Sequence, residues 1–263
     1  DGQVVLSKRL QMLAEMVTPG NSVADVGCDH AYLSIYLVQK GISPHVLAMD
    51  VREGPLAAAR EHVKDCGLDT YISVRLSDGM EEMESGEAET LICAGMGGRL
   101  MERILRAQPE KAGGMKELIL QPQSELKEFR SFLRRTGFTI QAENAVYEDG
   151  KYYFAMRAVG AKAAAERDMG QNGDKGPREN SEEAKWQNIF DEYGELLLNA
   201  GHPVLRQYLL HKREKAGEIL AKLEAECSPR SVERIVEIRQ ELAEIETALG
   251  RFRGLQGGMR GRP

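Results

Sequence analysis

The stretch VADVGCDHAYLSIYL, residues 23–37, decides the fold. Its first half is a short apolar run ending in an acid and a glycine, and its second half is an apolar helical run. That combination opens a nucleotide-binding strand–turn–helix unit. In a loop of the form GxGxxG the second glycine lets backbone N–H groups approach a pyrophosphate closely. Here Asp29 stands at that place. A carboxylate beside two phosphates is repelled strongly at short range and modest dielectric, so a dinucleotide is disfavoured and a cationic ligand is favoured.

Working outward, helical and strand periods alternate over residues 5–158. Residues 5–17 are amphipathic and end at the turn Thr18-Pro19-Gly20. Strand 22–26 and helix 31–40 follow, then strand 45–49 ending in Asp50, helix 55–66 and strand 72–76. After an acidic turn the cycle resumes with strand 90–94, helix 100–107, strand 118–121 and helix 125–136. Strands separated by helices of this length predict a parallel sheet. Segments 138–145 and 151–158 are strand-like and joined by Glu148-Asp149-Gly150, a hairpin signal. The fold class is therefore α/β: a Rossmann-like class I methyltransferase sheet ending in an antiparallel hairpin, with residues 1–158 as its domain.

Residues 159–180 mix Gly, Ala and alternating charges without periodicity and read as a linker. Residues 181–250 turn helical. One or two shorter helices over 181–199 carry Trp186, Ile189, Phe190 and Tyr193. Leu205, Leu209, Lys212, Ala216, Ile219 and Leu223 then make one stripe, and Val232, Ile235, Ile238, Leu242, Ile245 and Leu249 another, across a break at Cys227-Ser228-Pro229. An antiparallel coiled-coil hairpin is expected. Residues 251–263 form a basic flexible tail with Arg251, Arg253, Arg260 and Arg262.

Composition narrows the function classes. The 263 residues carry a net charge of −6, which alone argues against nucleic acid, yet His211-Lys212-Arg213 with Lys215 and the tail concentrate positive charge. The four cysteines, Cys28, Cys66, Cys93 and Cys227, show no CxxC spacing, so no metal site is expected and reduced thiols fit a cytoplasmic protein. No apolar run is long enough to span a membrane, and DGQVVLSKRLQ does not read as a secretory signal. The first residue is Asp1 rather than Met, which leaves room for a native start upstream. The sequence does not set the oligomeric state, and a monomer is the working expectation.

S-adenosylmethionine has no phosphate but carries a sulfonium, an ammonium and a carboxylate. Asp25 and the backbone around Gly27 suit its methionine end, with the start of helix 31–40 facing the carboxylate. Asp50, with Val51 after it, is placed for the ribose hydroxyls, and Ser77-Asp78-Gly79-Met80 for the adenine, Asp78 accepting from its amine and Met80 packing its face. A single aspartate at a strand end is more often a helix cap or a turn residue. Three such acids at three successive strand ends point to a cofactor. Ala94-Gly95-Met96-Gly97-Gly98 follows the fourth parallel strand, where the transferred methyl would lie; a flexible turn is the plainer account, and close approach of a planar substrate the functional one. Gln121-Pro122-Gln123 offers two amides to a polar edge. Cys28 and Cys93 flank this pocket and read as small buried hydrophobes.

The blocks DVGCDHAYLSIYLV, AMDVREGPLAAA, SDGM, ICAGMGGRLM, LILQPQ and VYEDGKYY, in this order, resemble the bacterial tRNA (adenine-22-N1)-methyltransferase family over residues 5–158. The helical hairpin is similar to that family's C-terminal coiled coil. Gln123 departs from the Asn more usual there, and the linker is longer. The resemblance implies methyl transfer from S-adenosylmethionine to N1 of an adenine in the D-arm region of tRNA. N1 lies on the Watson–Crick edge, so the base must leave its stack. Asp29 would then accept a hydrogen bond from the N6 amine and later its proton, with His30 or Tyr32 shaping the pocket. Gly97, Gly98, Gln121, Pro122 and Gln123 would meet the base, and Lys212 and Arg213 the tRNA body. Rival readings are a methyltransferase for another RNA or a small molecule and, from another class, an NAD-dependent oxidoreductase or a nucleotide-binding module.

Overall fold

The structure, a computed structural model, describes residues 3–160, 181–226 and 231–258, the last six by backbone alone. The chain divides into two compact units, Asp1–Gly176 and Pro177–Pro263.

In the first unit α1 (Lys8–Met16) precedes β1 (Val23–Val26), α2 (Tyr32–Gln39), β2 (Val46–Asp50), α3 (Glu53–Asp65) and β3 (Ile72–Leu76). Then come β4 (Thr90–Met96), α4 (Gly98–Ala107), α5 (Pro109–Gly114), β5 (Glu117–Pro122), α6 (Leu126–Arg135), β6 (Thr139–Glu148) and β7 (Lys151–Val159). The strand order is β3-β2-β1-β4-β5-β7-β6. β1 runs parallel to both neighbours, with Val23 opposite Val46 on one side and Thr90 on the other. β7 is antiparallel to β5 and to β6, so the hairpin closes an otherwise parallel sheet as the sequence predicts. The helix α5 was not expected: PEKAGG has no apolar period, and Pro109 at its start supplies its only local signal.

Strand alternation sorts the core into two layers. Ala24, Val26, Leu47 and Met49 pack with Met101, Ile104, Leu105, Phe129 and Phe132 of α4 and α6. Val23, Val46 and Ala48 pack on the other face with Leu13 of α1, Ile35 of α2 and Leu56 of α3. β1, β2 and β5 are buried along their whole length, as parallel strands covered on both faces must be. Their carboxyl ends open on one edge, and the reversal of strand order between β1 and β4 leaves a crevice there.

The second unit holds α7 (Glu182–Tyr193), α8 (Glu195–Asn199), α9 (Pro203–Glu226) and α10 (Ser231–Gly258). Ser181 caps α7 by accepting from the Ala184 N–H at 3.1 Å. Arg213 pairs with Glu246 and Arg239 with Glu224, a pattern only antiparallel helices give. Leu205, Leu209 and Ala216 of α9 and Ile238, Ile245 and Leu249 of α10 are buried. Two stripe positions are exposed: Ile219 and Val232, at 42% and 60%. The contacts of α7 and α8 explain this, because Asn188 reaches Glu244 and Asn199 reaches Arg251, at the far end of α10. Cys227-Ser228-Pro229, residues 161–180 and the tail beyond Gly258 lie outside the described residues.

Candidate active site

The turn after β1 is built to face inward. Gly27 has φ +77°, and a Cβ there would lie 2.8 Å from the Met96 Cε. The N–H groups of Gly27 and Cys28 both donate to the Met49 carbonyl, at 2.8 and 2.9 Å. Donors that a phosphate cradle would aim at its ligand are spent here on β2. Asp29 (φ +48°) and Ala31 (φ +59°) are left-handed on either side of His30. Each such residue costs on the order of 1 kcal/mol, so the loop is held by its surroundings. Because Ala31 is left-handed, α2 begins at Tyr32, one residue later than the apolar pattern predicts.

A cleft of about 400 Å³ lies at the carboxyl ends of β1–β4. It brings together Gly27 and Asp29 from the first loop, Asp50 and Val51 from the second, and Ser77, Asp78 and Gly79 from the third. Ala94, Gly95 and Met96 at the end of β4, and Gln123 after β5, complete the predicted lining. Asp50 accepts from the Arg52 N–H at 3.0 Å and from its Nε at 3.4 Å through Oδ1, while Oδ2 has no partner among the described residues. A carboxylate whose side chain is only 4% exposed and which lines the cleft in this way fits a ribose hydroxyl donor. Asp78 is held by both terminal nitrogens of Arg103, at 3.0 and 3.2 Å. An adenine amine would therefore share Asp78 with that arginine. Ser77 braces the turn by donating to the Gly79 carbonyl at 2.9 Å and accepting from the Glu82 N–H at 3.1 Å.

Several expected site residues are placed elsewhere. Asp25 does not line the cleft; it lies beneath the loop, 4% exposed, and accepts from the Ser34 hydroxyl at 2.7 Å. Burial, with the Asp50 charge adding to it, raises its pKa to about 6. Its charge acts on the cleft through the loop rather than by contact. Met80 is 1% exposed in the core and does not reach a cofactor face. Cys28 and Cys93 are buried, and desolvation pushes both thiols up, Cys93 to about 12, so both are inert fillers.

Gly97 and Gly98 lie outside the cleft lining and pack against the loop after β5. A Cβ on Gly98 would come 2.7 Å from the Ser124 carbonyl oxygen, and one on Gly97 3.0 Å from the Ser124 hydroxyl. Their bareness lets α4 begin against the loop after β5. Gln121 is 1% exposed, its Oε1 accepting from Arg9 at 3.1 Å and from the Gly95 N–H at 3.2 Å, so it ties α1 to the end of β4 behind the cleft wall. Pro122 is buried at the end of β5. His30 and Tyr32 stand outside the cleft lining.

The basic knot on α9 is also partly internal. Lys212 pairs with Glu241 at 3.0 Å and Glu192 at 3.7 Å and lies over the Tyr193 and Tyr208 rings, so its charge holds the bundle together. Arg213 pairs with Glu246 on the surface. Arg251 stacks over Trp186 and bonds to Asn199, which removes it from the expected free tail.

Sequence reasoning missed Arg9, Arg52, Leu100, Arg103 and Ile104, all of which line the cleft. Arg9 comes from α1, which precedes the sheet. Glu148 on β6 accepts from the Lys8 and Arg9 N–H groups at 2.7 and 3.2 Å, and Tyr153 lies 5.7 Å below the guanidinium. Nothing in SKRLQ signals that reach; only the docking of α1 on β6 and β7 supplies it. Among the described residues no group of His, Cys, Asp and Glu is arranged to hold a metal ion, and no helix is long and apolar enough to cross a membrane.

A cleft at the carboxyl ends of a sheet ordered β3-β2-β1-β4-β5-β7-β6, with Asp29 where a phosphate cradle would need glycine, defines a class I methyltransferase domain. Residues 6–156 match the family model described as a methyltransferase domain. The tRNA (adenine(22)-N(1))-methyltransferase of Bacillus subtilis strain 168 is 38% identical over 171 residues, which cover 65% of this chain and 70% of that protein. The crystal structure of the B. subtilis m1A22 tRNA methyltransferase TrmK aligns with TM-score 0.74 at 28% identity, covering 94% of this chain and 99% of that one. Streptococcus pneumoniae Sp1610, solved in complex with S-adenosyl-L-methionine, aligns with TM-score 0.73 at 31% identity, covering 93% and 100%. The chain belongs to the tRNA (adenine(22)-N(1))-methyltransferase family.

Proposed function

We propose that this protein transfers a methyl group from S-adenosylmethionine to N1 of the adenine at position 22 of tRNA, in the cytoplasm. The observation that carries this reading is the cleft that brings Asp29, in the place of a phosphate-binding glycine, together with Asp50 and Asp78 at the next two strand ends. A carboxylate in place of that glycine favours a sulfonium over a pyrophosphate.

When bound, S-adenosylmethionine supplies the electrophilic methyl carbon. Asp50 would hold its ribose, Val51 and Asp78 its adenine, and the backbone of Gly27 and Gly95 its methionine portion. Arg9 would take its carboxylate: the partners of that guanidinium are the neutral Gln121 and Tyr153, whereas Arg52 and Arg103 already face Asp50 and Asp78. N1 of adenine is itself a lone-pair donor, so the protein's task is orientation and charge. Attack leaves one positive charge on the base, balanced by release of the N6 proton. Asp29, 65% exposed at the cleft edge, is the acceptor for that proton, and Gln123, in the cleft lining, would meet the base's polar edge. The helical unit grips the tRNA body through surface arginines such as Arg213, whose exposed pair with Glu246 is weak enough to exchange for phosphate.

Mass spectrometry of nucleosides from unmodified tRNA, after incubation with protein and cofactor, tests the proposal. N1-methyladenosine mapping to position 22 is the expected product. Its absence, or a methyl on another nucleoside, overturns the reading.

A further inference from the structure

Three rings meet outside the cofactor cleft. The centroids of His30 and Tyr32 are 5.8 Å apart, those of His30 and His62 5.8 Å, and those of Tyr32 and His62 5.1 Å, with interplanar angles between 36° and 40°. Tyr32 is 46% exposed and the His30 side chain 45%. None of the three belongs to the buried core, so packing does not account for the cluster. Its framework is rigid all the same. The His62 Nδ1, from the last turn of α3, lies 3.0 Å from the His30 carbonyl oxygen, which is fixed between two left-handed residues, and Tyr32 is the first residue of α2. Asp29, one residue before His30, lines the cleft.

We propose that His30, Tyr32 and His62 form a stacking platform for an unpaired RNA base adjacent to the target adenine. The inference rests on the tRNA reading above and extends it to a second nucleotide. An adenine that presents N1 to the cleft has left its stack, and its neighbour loses a stacking partner. Exposed aromatic faces beside the cleft replace that partner without reading base identity, because every base has a π-face. The platform starts one residue from the carboxylate proposed to face N6, which sets it beside the target base rather than beneath it.

The test uses the full-length protein with His62→Ala and His62→Phe, methylation kinetics on tRNA, and titration with S-adenosylhomocysteine. In parallel, tRNA carries 2-aminopurine at the position on either side of the target, a base whose fluorescence falls when it stacks. His62→Ala is expected to raise KM for tRNA about five- to twentyfold. It should weaken the 2-aminopurine quenching at one flanking position and leave kcat and cofactor affinity within about twofold. His62→Phe, which keeps a ring but loses the bond to the His30 carbonyl, should restore both. An unchanged KM for His62→Ala overturns the platform. So does a His62→Phe variant that behaves like His62→Ala, which assigns His62 to holding the loop, or a matching loss of cofactor affinity, which assigns it to the fold. A wild-type protein that methylates tRNA while His62→Ala changes nothing removes the platform alone; a wild-type protein inert toward tRNA removes both readings.

Discussion

Asp25 shows how a single buried carboxylate serves a cleft it does not touch. Burial raises its pKa from 3.8 to about 6, so the folded protein keeps this proton where the unfolded chain has released it. As pH rises from about 4 to about 6 the folded state therefore loses stability from this group, on the order of 3 kcal/mol by pH 7. Asp25→Asn should accordingly melt higher than wild type at pH 7, with the gap closing at pH 4; thermal melts without ligand decide it, and equal melting at both pH values would refute the account. The same variant should bind S-adenosylhomocysteine more weakly, and should lack the tightening expected of wild type between pH 5 and 7 as Asp25 ionises. Asp29→Ala tests the proton acceptor: kcat should fall by about two orders of magnitude with cofactor affinity intact. Near-normal turnover with intact affinity would remove Asp29 from the chemistry. Arg9→Ala should weaken S-adenosylhomocysteine about tenfold or more and leave 5′-methylthioadenosine, which has no carboxylate, unaffected. Equal losses for both ligands would deny Arg9 that contact.

At the scale of elements, the glycines of the β4–α4 turn separate two uses of a missing side chain. Gly95 has φ +75° and opens the cleft wall, whereas Gly98 permits α4 to start against the backbone of Ser124. Gly98→Ala should destabilise the protein by about 1–3 kcal/mol, because backbone cannot step aside as a side chain can. Gly54→Ala in the first turn of α3 meets nothing within 4 Å and should stabilise by roughly 0.5 kcal/mol. Denaturant melts of the two variants should move in opposite directions. The repeating strands and helices were legible because apolar periods of two and near four are local properties, and the hairpin was legible from Asp149-Gly150. The destination of Gly97 and Gly98 was not: a glycine needed for a ligand and one needed for a neighbouring loop read alike in one dimension.

For the molecule as a whole, both hydrophobic layers of the sheet are built from residues of the first unit alone. Deleting residues 181–263 should therefore leave S-adenosylhomocysteine affinity unchanged while weakening tRNA binding at least about tenfold and lowering its salt dependence. Unchanged tRNA affinity would make the helical unit a scaffold only. Basic residues on α9 and α10 could not be sorted from sequence into internal and external ones. Lys212 and Arg213 are adjacent, yet one is enclosed by Glu192, Glu241 and two tyrosine rings and the other is at the surface.

The sequence by itself determined the order of strands and helices, the closing hairpin, and an acidic loop where a phosphate cradle would need glycine, since periodicity and residue charge are written locally. Only the tertiary structure decided which groups face the cleft. Asp25, next to last in β1, and Asp50, last in β2, carry the same side chain, but the α2 serine covers one and the crevice between strands receives the other. Arg9 enters because α1 docks on the hairpin, and His62 joins His30 and Tyr32 because α3 lies beside the first loop. Such meetings depend on packing between segments far apart in the chain, which no local pattern records.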